Sequence, residues 1–384
     1  MTSSLNRRDW LRQSAFAVAG LSVAPALLAA APVRFSRAFG EFAPEFDAAL
    51  LPPTGVRARL NANENPWGPS EKTKQALIDS LGESNRYAFQ QIWALRQAMA
   101  AKDGLKPDTI LPGAGSSELL AAAINAYSPK GKILLAETCY ISDGMMGNFP
   151  MEKVPLTAEY QYDLDAMAAK ADPAIHSLVY ICNPNNPTGR LLPPEKLRKF
   201  IDEVSPKVPV LIDEAYIDYA SDPKTACMVD KVKEGKNVII LRTFSKLYAF
   251  AGLRVGYAIA KPALLKVLEP FTQQGFGISV PSAAAALAAL KDVEFQQMTL
   301  QKTAESKQFL FDTLKGLSYI PLESSANFAL FPIKMKGQQL AGQLMKEGVM
   351  VRHWQFDKQP WCRVSIGTMD EMKAFAEAFA KVVS

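Results

Sequence analysis

Four short segments of this chain set polar side chains directly behind apolar runs, where they could do chemistry. Thr243-Phe244-Ser245-Lys246 is one, and Arg254 lies eight residues beyond its lysine. A lysine held where solvent is scarce, with hydroxyls and a guanidinium nearby, can have a depressed pKa and form an imine with a carbonyl compound; on a surface it would do nothing of the kind. Asp213-Glu214-Ala215-Tyr216 ends the apolar run Val208 to Ile212, so its first carboxylate is either a helix cap or a buried, paired charge. Asn183-Pro184-Asn185-Asn186-Pro187-Thr188-Gly189 is a loop stiffened by two prolines, and any asparagine buried in it needs partners. Gly113-Ala114-Gly115-Ser116-Ser117-Glu118 opens a helix; it is an ordinary glycine turn, or an anion seat made of freed amides and the helix dipole.

The elements behind these segments follow a βα rhythm from about residue 108. Strands are predicted at Lys132 to Ala136, Ser177 to Cys182, Val208 to Asp213, Asn237 to Leu241 and Val255 to Ala260, with helices at Ser117 to Tyr127, Pro194 to Val204 and Pro262 to Leu268. Open α/β sheets bind ligands at the carboxyl ends of their strands, which is where the four segments fall. Beyond the Ala-rich stretch Ser282 to Leu290 comes an amphipathic run, Phe295 to Leu317. Strands Asn327 to Phe331 and Val349 to His353 follow, with helix Gly337 to Lys346 between them, then strand Trp361 to Ile366 and helix Asp370 to Val383. The expected fold class is α/β: a large doubly wound, mostly parallel sheet domain over 86–281, and a smaller α+β domain from 61–85 and 282–384. An arm spans 32–60.

Composition narrows the functions. The 384 residues are 48% hydrophobic and 21% charged, enough to build a sizeable core, and a net charge of +5 is too small and evenly spread to suggest a nucleic-acid surface. Two histidines and four scattered cysteines, with no CxxC, leave no metal site to assemble. The cysteines read as small buried hydrophobes, with pairing left open for an oxidising compartment.

Residues 1–31 differ from the rest. Arg7-Arg8, then Trp10-Leu11, precede the uncharged run Ala15 to Ala31, and the whole resembles a twin-arginine export signal with Trp in place of the usual Phe. Periplasmic export is therefore expected, with an uncleaved, membrane-anchoring signal as the alternative. The run is short and alanine-rich for a span, so stable membrane insertion is not expected.

In order, an anion seat, an asparagine loop, a buried aspartate, a lysine and an arginine resemble the fold type I pyridoxal-phosphate enzymes, specifically the class I/II aminotransferases, from about Arg59 onward. The segment Leu60-Asn61-Ala62-Asn63-Glu64-Asn65-Pro66-Trp67-Gly68-Pro69-Ser70 is similar to the histidinol-phosphate aminotransferase branch. The resemblance implies that Lys246 forms the imine with pyridoxal 5'-phosphate and then carries the substrate proton. Asp213 would keep the pyridine nitrogen protonated, Asn186 and Tyr216 would bond the ring 3-oxygen, and Tyr140 would stack on the ring. Arg254, Thr243, Ser245 and the amides of Ser116 and Ser117 would hold the phosphate. Arg363 would take the substrate carboxylate, Arg352 a substrate phosphate or else a specificity or dimer contact, and Tyr87 the neighbouring subunit's cofactor phosphate in a homodimer. The reaction implied moves an amino group from an amino acid or amino-phosphate to a 2-oxo acid. A related alternative is decarboxylation of an amino-acid phosphate. Three departures from the branch, at Ala88-Phe89, Ser117 and Thr138-Cys139, fall where substrate would be selected.

Overall fold

The computed structural model describes residues 55–142 and 146–384, and the structural statements below are made of those residues. The expected export signal and the arm as far as residue 54 lie outside the described residues. The end of the arm forms a short strand, β1 (Ala58–Arg59).

Seven strands then build the main sheet: β2 (Ile110–Gly113), β3 (Lys132–Ala136), β4 (Met151–Val154), β5 (His176–Cys182), β6 (Val210–Asp213), β7 (Val238–Thr243) and β8 (Gly256–Ala260). Their spatial order is β2-β8-β7-β6-β5-β3-β4, with β8 antiparallel to both neighbours and the remaining pairs parallel. The central strands β5 to β7 are almost unbroken apolar runs because both faces of the sheet are covered. Helix Pro194–Val204 shows how the cover is specified: Leu197, Phe200, Ile201 and Val204 recur at helical spacing and are buried. Its first residue is proline, where a missing N–H costs nothing.

The later part of the chain forms a three-stranded antiparallel sheet, β9 (Phe328–Pro332), β11 (Arg352–Phe356) and β12 (Gln359–Ser365) in the order β11-β12-β9. A two-residue strand, β10 (Val349–Met350), pairs with β1. The run Val349 to His353, expected as one strand, is thus divided at Val351 between two partners. Asp357 and Lys358 close the β11–β12 hairpin with φ of 50° and 57°, the left-handed pair that matches strand twist. Leu60, Phe331, Phe375 and Phe379 sit in a second apolar core here. The last helix, Met369–Val383, starts at a capping box of Thr368 and Glu371.

Helix Val280–Lys291, grouped on sequence with the smaller domain from 282, buries Ala283, Ala285, Ala286 and Ala289 in the core of the larger sheet. It packs on helices Glu71–Ser80 and Phe89–Lys102. Those two helices, β2 and the edge strand β4 had no clear periodic signal. Among the described residues no helix is long and apolar enough to cross a membrane.

Candidate active site

Strand register gathers the four polar segments along one edge of the sheet. Cys182 pairs with Asp213, Asp213 with Leu241, and Gly256 with both Thr243 and Gly113.

Asp213, the last residue of β6, is 4% exposed; its Oδ1 accepts from the Ala215 amide at 3.1 Å and its Oδ2 from the Tyr180 hydroxyl at 3.3 Å. Burial pushes its carboxyl up to about 6, against the pull of those two hydrogen bonds and of the Lys246 charge. Behind it Glu214 is paired with Arg242 at 2.6 Å. The helix-cap alternative does not apply, because the chain leaves Asp213 through a turn into the short 3₁₀ segment Ile217–Tyr219. The site therefore holds a desolvated carboxylate suited to a cationic partner.

Lys246 lies just beyond β7, half-buried, with Nζ 3.0 Å from the Asn63 carbonyl oxygen and 5.4 Å from the centre of the Tyr216 ring. Tyr216, 5% exposed, has its phenol pushed up by burial, and its oxygen accepts from Asn63 Nδ2 at 3.1 Å and Asn186 Nδ2 at 3.4 Å. The asparagine loop is tied in around this point. Asn185 donates to the Thr138 carbonyl and the Thr188 hydroxyl, both at 3.1 Å, which joins the Tyr140 segment to the loop.

The anion seat is a fitted one. Gly115 has φ +83°, and a Cβ there would strike the Arg254 guanidinium; a Cβ at Gly256 would strike the Ser116 amide. Both glycines are required for the helix start, the strand and the guanidinium to meet. Arg254 Nη1 donates to Ser245 Oγ at 3.3 Å, and Thr243 Oγ1 donates to Ser245 Oγ at 2.9 Å. No side chain caps helix Ser116–Tyr127, so its first amides remain available to a ligand. Guanidinium, hydroxyls and helix amides are the donor set a phosphate monoester needs, and they adjoin the lysine and the carboxylate that an aldehyde-bearing pyridine needs.

Arg363 is 1% exposed on β12, the middle strand of its sheet. Nη1 donates to Asn186 Oδ1 and Nη2 to the Asn61 carbonyl, each at 2.7 Å, while Phe328 and Trp354 hold the guanidinium carbon at 5.3 and 4.6 Å from their ring centres. Arg352 is its direct cross-strand partner and lies 4.6 Å from the centre of the same Trp354 ring. Two guanidiniums thus share one indole. Tyr87 is not brought into the cluster within one chain: it is 78% exposed and meets Phe89 edge-on, which in turn meets Phe276.

Sequence reasoning gave no role to Tyr180, Trp354, Phe328, Ser365 or Asn63. For Ser365 and Trp354 a signal existed, since each stands two residues from a candidate arginine and so shares its face of a strand. For Tyr180 and Phe328, apolar positions inside buried strands, there was none.

A family model described as Aminotransferase class I and II matches residues 58–379. The histidinol-phosphate aminotransferase of Moorella thermoacetica is 36% identical over 335 residues, 85% of this chain and 85% of that one. Histidinol-phosphate aminotransferase 1 of Cupriavidus pinatubonensis is 34% identical over 364 residues, covering 92% and 95%. Among solved structures, the histidinol-phosphate aminotransferase of Sinorhizobium meliloti in complex with pyridoxal-5'-phosphate superposes with a TM-score of 0.78 at 26% identity, over 85% of this chain and 91% of that one.

Proposed function

The chain belongs to the class I and II aminotransferases and is a pyridoxal-phosphate-dependent transaminase of fold type I; from that premise we propose that its amino donor is an amino-phosphate of the histidinol-phosphate type. The observation that carries the proposal is the pairing of Arg352 with Arg363 across β11 and β12, with both guanidiniums 4.6 Å from the centre of the Trp354 ring. Two guanidiniums set directly opposite each other make a strongly positive place. An anionic donor suits that field, and a phosphate, with more charge and more acceptor oxygens than a carboxylate, suits it best.

The remaining groups divide the work. When bound, pyridoxal phosphate supplies an aldehyde carbon and an electron-withdrawing ring. Arg254, the Thr243 and Ser245 hydroxyls and the amides of Ser116 and Ser117 hold the phosphate. Asp213 holds a proton on the ring nitrogen, because a desolvated carboxylate gains most from a cation beside it. Tyr216 and Asn186 would bond the 3-oxygen, and Tyr140 would stack on the ring. Lys246 Nζ accepts and returns the proton of the donor's α-carbon. Arg363 fixes the donor's orientation through its planar fork.

Two further proposals concern the whole protein. Tyr87, Phe89, Trp93 and Phe276 are each more than half exposed, so we place a homodimer contact there, with Tyr87 reaching the neighbouring subunit's cofactor. Arg7-Arg8 and the run Ala15 to Ala31 support export by the twin-arginine route to the periplasm. A reporter behind residues 1–31 should be exported, and R7K/R8K should retain it in the cytoplasm.

The donor is tested by single-turnover conversion of the loaded enzyme with histidinol phosphate and with glutamate. R352A should raise the half-saturating concentration of the phosphate donor about tenfold, the loss of one charge-assisted contact, and leave that of glutamate unchanged. Equal effects on both donors, or no reaction with the phosphate ester, would remove the proposal.

A further inference from the structure

We infer that Asn63 is a positioning residue that makes the Tyr216 hydroxyl a donor in one direction only, toward the 3-oxygen of the bound cofactor; this rests on the pyridoxal-phosphate reading above. A phenol oxygen accepts two hydrogen bonds and donates one. Both acceptor places on Tyr216 are filled by amide N–H groups, from Asn63 at 3.1 Å and Asn186 at 3.4 Å. The O–H is then left to point away from both amides.

The argument holds only if neither amide is turned around, and the surroundings settle each. Arg363 can only donate, and it donates to Asn186 at 2.7 Å; the atom there is the oxygen, and Nδ2 faces Tyr216. Ser365 Oγ accepts the backbone N–H of Asn63 at 2.7 Å, so its own hydrogen needs an acceptor. Asn63 Oδ1, at 2.9 Å, is the one acceptor within its reach among the described residues; a turned amide would leave that hydrogen unpaired, so Nδ2 is left for Tyr216.

Backbone geometry gives Asn63 this reach. Its φ is +53°, a left-handed value that asparagine tolerates better than most residues. In that conformation its carbonyl accepts from Lys246 Nζ and from Asn327 Nδ2, each at 3.0 Å, while its side chain meets Tyr216. One residue, 1% exposed, thereby touches both the imine-forming amine and the phenol. The other titratable or charged groups facing Tyr216 are Arg363, Cys182, Tyr140, Tyr219 and Lys246, the last 5.4 Å from its ring centre.

A phenol that donates to the ring 3-oxygen favours the ionised oxygen, and so lowers the pH at which the bound cofactor's visible band titrates. N63G removes the amide while keeping a left-handed backbone free of strain, and S365A leaves Asn63 in place but releases its amide to turn. Each is loaded with pyridoxal phosphate and its absorbance near ~420 nm is followed against pH. N63G should raise the midpoint by about one pH unit, the worth of one ordinary hydrogen bond, with S365A moving it in the same direction. In a Y216F background neither should move it, because the hydroxyl they act through is gone. Equal shifts in both backgrounds, or no shift from either variant, would overturn the inference. Should N63G not fold, S365A with and without Y216F makes the same comparison. A wild-type protein with no titrating band would instead overturn the cofactor reading, a distinguishable failure.

Discussion

Replacing Asp213 by asparagine isolates the cost of keeping a buried charge ready for a cofactor. The carboxyl titrates at about 6 in the folded chain against an ordinary 3.8, with burial as the main cause. The folded state therefore binds this proton more tightly than the unfolded state does. The stability it contributes is complete below the unfolded value near 4 and is lost as the pH rises through about 6. A difference of about two units corresponds to about 3 kcal/mol. Asparagine does not titrate, and it can keep both neighbours, its oxygen accepting from the Ala215 amide and its Nδ2 donating to the Tyr180 oxygen. In cofactor-free protein, the stability of wild type minus that of D213N should fall by about 3 kcal/mol between about pH 4 and pH 7, read from urea unfolding followed by tryptophan fluorescence. The wild-type curve alone would mix in every other carboxylate, which is why the difference is the quantity to measure. Loading with pyridoxal phosphate at pH 7 should return the lost stability to wild type and not to D213N, because only the carboxylate gains a cationic partner. A difference that stays flat or rises with pH would refute the desolvation argument.

Three other outcomes come from the same geometry. R363K leaves one charge where a planar fork makes two 2.7 Å bonds, so kcat/KM for anionic donors should fall about 10²-fold in steady-state assays, with the donor KM raised. G115A places a methyl group on the Arg254 guanidinium at φ +83°, and should weaken pyridoxal phosphate binding by at least about tenfold in equilibrium dialysis while the far-UV circular dichroism stays unchanged. W93E puts a charge on the exposed aromatic face at the head of helix Phe89–Lys102, and sedimentation should show a dimer in wild type dissociating in the variant at micromolar protein.

What the sequence disclosed, and what it withheld, depend on how each residue earns its place. Lys246, Asp213 and Asn186 were legible because a polar residue just after a buried strand has no packing reason to be there, and parallel strands deliver their carboxyl ends to one edge; Arg254, which stands ahead of β8, was legible only through its place in the order of segments. The turn into helix Ser116–Tyr127 was legible through its glycines, and the structure adds the reason: at Gly115 and Gly256 there is no room for a Cβ. Helices Glu71–Ser80 and Phe89–Lys102 were not, because much of their apolar surface, Ile78, Phe89 and Trp93 included, stays exposed in the single chain and breaks the one-sided pattern by which a helix is recognised.

Asn63 and Ser365 mark a different boundary. They are 302 positions apart, yet Ser365 fixes the amide that fixes the Tyr216 hydroxyl. Nothing local distinguishes that asparagine from Asn61 or Asn65. Asn61 gives its carbonyl to Arg363, while Asn65 holds Leu247, the residue after the lysine. A single stretch before helix Glu71–Ser80 thus braces the lysine loop, the phenol and the Arg363 guanidinium at once. The large sheet can place Lys246, Asp213 and Tyr216 by strand register alone. It cannot orient a hydroxyl or aim a guanidinium, and that depends on closing the segment Asn61–Asn65 against β12. A change that loosens this closure without touching any group that meets substrate should therefore shift the cofactor's titration before it unfolds the protein.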